Sequence, residues 1–107
     1  INNTTGKTNL AMDFLLQSLD ESAGRTTTWQ VEYALGENPT SFIPVTTSPI
    51  LLSTGTVFQS IPVTVNFGNW LDNQTGAVWI RVVTMSASVG SGSRASTAID
   101  DVEITWN

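Results

Sequence analysis

The sequence predicts an all-β protein: an antiparallel β-sandwich, jelly-roll-like or alternatively immunoglobulin-like, of about seven or eight short strands. Three observations predict it. Apolar and polar residues alternate over short runs, the pattern of a strand with one buried face. Clusters of Gly, Pro, Asn, Ser and Thr separate these runs at close intervals. No run carries the spacing of a convincing amphipathic helix. The 107 residues read as a single domain over 1–107, with residues 1–7 an extended polar arm at its start.

The elements follow in order. Residues 8–16 alternate, with Leu10, Met12, Phe14 and Leu16 on one face and Asn9, Ala11 and Asp13 on the other; Leu15 breaks the pattern. Residues 17–27 read as a loop. In residues 28–35, Trp29, Val31, Tyr33 and Leu35 face one way and Thr28, Gln30, Glu32 and Ala34 the other. Gly36-Glu37-Asn38-Pro39 is a turn. Residues 41–45 form a short strand that Pro44 places at a sheet edge, because proline has no N–H for the ladder. A connection with Pro49 leads to a brief extended piece at 50–52. Residues 57–61 and 63–67 flank Pro62, where a bulge or a change of sheet is expected.

The turn over 68–76 holds an apolar pair, Trp70-Leu71. Residues 77–85 are then almost continuously apolar, which is how a central strand reads. Residues 86–97 are a Ser/Gly-rich connection, mobile by composition. Residues 98–106 close the chain as a strand expected to turn Asp100, Val102, Ile104 and Trp106 inward, with Asp101 and Glu103 outward.

Composition narrows the function. Charged residues make up 12% of the chain, and the net charge is −5. Nucleic acid and anionic membrane surfaces are therefore poor partners, since both need clustered Lys and Arg. No apolar run approaches the ~20 residues of a membrane-spanning helix, so no membrane insertion is expected. There is no Cys and no His. Disulfides, thiolate metal sites, histidine bases and His-based triads are thereby excluded. A surface of hydroxyls and amides points to an extracellular or cell-surface location. The chain opens on Ile without a recognisable signal peptide, and the expectation is a processed protein or part of a longer one.

Four sets of residues are site candidates. Asp100, on the inner face, needs a counter-charge, and Arg81 is the charge inside the apolar 78–83 run; a structural ion pair between Arg81 and Asp100 is expected. Asp100 and Asp101 alternatively offer hard oxygen ligands to a calcium ion (Ca2+), although a calcium loop normally spaces three or more oxygens. Adjacent strand residues point to opposite faces, so the two carboxylates do not act as a glycosidase pair, and no enzymatic activity is expected. Trp70, beside Asn69, Asp72 and Asn73, and Trp79, beside Arg81, are candidate platforms for stacking a sugar ring; the competing role for Trp70 is to cap the end of the sandwich. Asn2, Asn3 and Asn73 head N-x-Thr triplets that permit glycosylation.

Taken in order, Asn2-Asn3-Thr4-Thr5-Gly6, Trp29-Gln30-Val31-Glu32-Tyr33, Gly76-Ala77-Val78-Trp79-Ile80-Arg81-Val82 and Ala98-Ile99-Asp100-Asp101-Val102-Glu103-Ile104 span the whole chain. Together they resemble a class of bacterial extracellular β-sandwich modules found as accessory domains of large secreted or surface-anchored proteins. The resemblance implies no catalysis. Modules of that class usually carry strands ahead of the N-T-G motif, where this chain opens. The resemblance therefore leaves three alternatives: upstream residues, a smaller plan, or a strand given by a neighbouring copy, with residues 1–8 lying on a neighbour.

The expected function is a non-enzymatic extracellular structural or adhesive module. It would serve as a subunit of a surface filament or pilus-like assembly, joined by strand-edge contacts to copies of itself or to neighbouring domains of a longer surface protein. The alternative is a carbohydrate-binding module that holds glycans on exposed Trp.

Overall fold

The alternation along the chain sets two sheets face to face. The computed structural model describes the backbone of residues 1–107 and the side chains of all but residues 86–88. Its strands are β1 (Ala11–Ser18), β2 (Arg25–Leu35), β3 (Ile43–Val45), β4 (Thr47–Ser48), β5 (Leu52–Thr54), β6 (Gln59–Asn66), β7 (Val78–Gly90) and β8 (Thr97–Thr105). One sheet has the order β4-β6-β1-β8. In the other, β2 is central: β7 runs along one side of it, while β3 and β5 share the other side end to end. All these pairings are antiparallel. The molecule is an antiparallel β-sandwich; among the described residues there is no helix, and so none long and apolar enough to cross a membrane.

Leu10, just ahead of β1, and the inward residues of β1 behave as their spacing predicts: Leu10, Met12, Phe14 and Leu16 are buried with Val31 and Tyr33 of β2 and Val63 and Val65 of β6. Phe67, Leu71 and Val78 complete this core at one end. At the other end the inward positions become polar. There Ser18 Oγ donates to the Gly55 carbonyl at 2.7 Å, and the Trp29 indole donates to Thr54 Oγ1 at 2.8 Å.

Several expectations change. Pro62 sits in an unbroken β6, opposite Leu15, without a bulge. The Phe67 N–H bonds Leu10 O, so alternation turns the nitrogen of Pro62 away from β1. On that outer side β4 reaches only Val65 and Thr64, and no ladder bond is lost. The bulge lies instead in β8, between the pairs Asp13–Glu103 and Leu15–Asp100.

Residues 1–7 fold back onto their own chain. Ile1 exchanges both backbone hydrogen bonds with Val78, at 3.0 and 2.8 Å. Thr4 is fully buried; its hydroxyl donates to Leu71 O at 2.5 Å and accepts from the Gln74 N–H at 2.8 Å. Further on, the Asp72 and Asn73 side chains accept from the N–H groups of Asn9 and Gly6. The N-terminal turn and the 68–76 turn are thus locked together.

Finally, β7 is not central. The link from β4 in one sheet to β5 in the other crosses one flank of the sandwich. On the opposite flank β7 and β8 are each the outermost strand of their sheet, and after Ile1–Val78 the outer edge of β7 has no ladder partner among the described residues.

Candidate functional site: an open flank and two separated tryptophans

The flank between β7 and β8 is an apolar cleft of about 300 Å³. Met12 and Phe14 of β1 form its floor, Ile80 and Val82 of β7 one wall, and Ile99, Val102 and Ile104 of β8 the other. Ile1 stands at one end and also lines an adjoining cleft of about 240 Å³ with Leu10, Ile104 and Trp106. The walls are only partly covered: Ile99 is 43% and Val102 56% exposed. Trp106, expected in the core, is 52% exposed, with the Lys7 ammonium 5.3 Å from its ring. Val102 and Ile104 do face the cleft as their spacing predicts, with Val102 left more than half exposed.

The bulge explains the arrangement of this wall. Asp101 has φ +51°, and its N–H is held by the Asp100 carboxylate at 2.8 Å. Two residues of β8 therefore face one of β1, and the inward phase shifts by one. Ile99 and Val102 consequently line the same cleft although they are three apart in sequence. The expectation that Asp100 points inward is corrected: it is exposed and pairs with Leu15, and Asp101 borders a shallow outer depression with Asp13 and Thr64.

The expected Arg81–Asp100 ion pair is also corrected, because the two residues lie in different sheets. Arg81 stands directly opposite Glu32 in the β2–β7 register, and its Nε donates to Glu32 Oε1 at 2.6 Å. Gln30 donates to the second oxygen of Glu32 at 2.7 Å. For Asp100 and Asp101, the calcium candidates, the described residues include no group of three or more His, Cys, Asp or Glu side chains placed to hold a metal ion.

The two tryptophans do not form one platform. Trp70 stacks on the inward Tyr33, with ring centroids 5.7 Å apart and planes 11° off parallel, and so caps one end of the core. Trp79 lies on the outer face of the second sheet, where its indole donates to Gly36 O at 2.7 Å. Beside it is a shallow cleft with Phe42, Glu37, Asn38 and Pro39. Of the glycosylation candidates, Asn2, Asn3 and Asn73 are all exposed. Asn3 and Asn73 each use the side-chain oxygen to accept a nearby N–H.

Reading the sequence alone missed Ile1, Ile80, Val82 and Ile99 as members of one surface. The available signal was the apolar run over 77–85, which calls for cover on both faces. Compared with family profiles, with curated proteins and with solved structures, the chain matches none.

Proposed function

We propose that this chain is a non-enzymatic extracellular structural or adhesive module that joins other polypeptide through its open strand edges, within a longer surface protein or a surface filament. The observation that carries the reading is the flank itself. Two outermost strands border one apolar cleft, and their free N–H and C=O groups are a template for an added strand. The low charge and the lack of His and Cys fit a packing role better than acid–base or metal chemistry. The test is electron microscopy of the native material together with sedimentation of the isolated chain. Filaments, or concentration-dependent association blocked by Val102→Glu, are the expected results. A chain that stays monomeric and binds no strand peptide at any concentration would sink the reading.

The second reading, a carbohydrate-binding module, is favoured by one observation: Trp79 and Phe42 border the same cleft as Glu37 and Asn38, which offers stacking faces beside polar groups. Glycan-array binding that Trp79→Ala abolishes and Trp70→Ala leaves in place would support it.

A further inference from the structure

The Ile1–Val78 contact carries more than an anchor for the N-terminus. Its two reciprocal backbone bonds are those of an antiparallel, hydrogen-bonded pair. Such a pair fixes both direction and register. Polypeptide entering Ile1 from upstream would run along the outer edge of β7, antiparallel to it, with the residue two before Ile1 opposite Ile80 and the residue four before opposite Val82. Because Val78 points its N–H and C=O at Ile1, alternation aims those of Ile80 and Val82 to the same outer side. The side chains of Ile1, Ile80 and Val82 all reach the cleft, so inward positions of the added strand would meet Ile99 and Val102 across it.

We propose that the open flank is a strand-acceptor groove, filled by the segment of the same polypeptide that leads into Ile1, lying antiparallel to β7 with branched apolar residues two and four positions ahead of Ile1. The inference rests on the strand-edge reading above and names the occupant. Two features argue for it together. The register is already set by Ile1 and Val78, and Ile1 occupies the place on this edge next to the groove, so the chain leading into it enters without a gap. Beyond that pair the outward N–H and C=O groups of Ile80 and Val82 have no ladder partner among the described residues, and they border an apolar cleft.

The test compares the chain beginning at Ile1 with two versions bearing a short N-terminal Val/Thr extension. In one, Val falls two and four residues before Ile1; in the other, the alternation is moved by one residue. The in-phase extension is expected to raise the thermal midpoint by roughly 5 °C or more. It should also slow amide exchange at Ile80 and Val82 by about tenfold or more, and the shifted extension should do neither. If neither extension protects β7 while the unextended chain self-associates through the flank, the cis occupant is wrong and the strand-edge reading stands. If neither protects β7 and the chain stays monomeric, both fail. Val82→Glu, whose side chain lines the groove, should remove the gain from the in-phase extension; a gain that survives it would place the extension elsewhere and overturn the proposal.

Discussion

Arg81 is held on two sides, by Glu32 Oε1 at 2.6 Å from its Nε and by the ring of Phe42, whose centroid lies 3.8 Å from the guanidinium carbon. The Arg81 side chain is 47% exposed and that of Glu32 only 11%, so the pair straddles the boundary of solvent. Pairs of this kind contribute modestly. A double-mutant cycle with Arg81→Met and Glu32→Gln, read by denaturant unfolding, is expected to give a coupling of about 1 kcal/mol, weakened by high salt. Asp100→Ala, which leaves this pair untouched and alters an exposed site, should stay within about 0.5 kcal/mol of the parent. A larger loss at Asp100 than at Arg81 would contradict the assignment.

Thr4 is the hinge pin of the two locked turns. Its buried hydroxyl is at once a donor to Leu71 O and an acceptor from the Gln74 N–H. Thr4→Val keeps the shape and strands both backbone groups, and it should cost about 2–3 kcal/mol. Thr4→Ser keeps both bonds and loses one methyl, for about 1 kcal/mol. Thr5→Val, at an exposed position whose hydroxyl bond is 3.5 Å long, should cost well under about 0.5 kcal/mol. Equal effects at the two threonines would show that the lock is not formed.

These contacts separate what the residues reveal alone from what they do not. Alternation exposed the sandwich, the inward face of β1 and the edge position of Pro44, because each depends on a local period or on a missing N–H. It failed wherever a partner decides the outcome. Nothing near Arg81 in sequence says that Glu32 stands opposite; only the β2–β7 register does. The inward phase of β8 was legible over Val102 and Ile104, but the single extra residue at Asp101 reversed it for Asp100 and Ile99. The Asp-Asp pair carried no pattern to mark that bulge. The apolar run before Met85 points to a strand covered on both faces, and it says nothing of how many strands pair with its edges; β7 has one such partner, β2.

The end of β7, where it passes the start of β2, also has a steric requirement that composition hides. A Cβ on Gly90 would stand 2.3 Å from Gly24 O, and Gly90 has φ +97°. A Cβ on Gly24 would stand 2.3 Å from Ser91 O. Gly90→Ala therefore meets both a backbone clash and a left-handed conformation, and it should cost about 2–3 kcal/mol. Gly24→Ala should cost somewhat less, since it meets the clash alone. Gly76, with open space around it, should accept Ala within about 0.5 kcal/mol. Thermal melts of the three variants check the order.

The bulge at Asp101 yields a test that separates backbone shape from carboxylate chemistry. Asp tolerates φ +51° better than most residues, and Gly tolerates it without strain. Asp101→Gly and Asp101→Asn should both remain within about 0.5 kcal/mol of the parent, whereas Asp101→Val, branched at Cβ, should lose about 1–2 kcal/mol. Deleting Asp101 is the sharper change. It would force β8 either to slip against β1 or to turn Ile99 out of the cleft, because one residue reverses every side chain beyond it. The deletion should therefore cost more than any of the substitutions, about 2 kcal/mol or more. If Asp101→Asn were as damaging as the deletion, the carboxylate itself would be the essential group, and the outer depression it shares with Asp13 would have to be read as a site rather than as the back of a bulge.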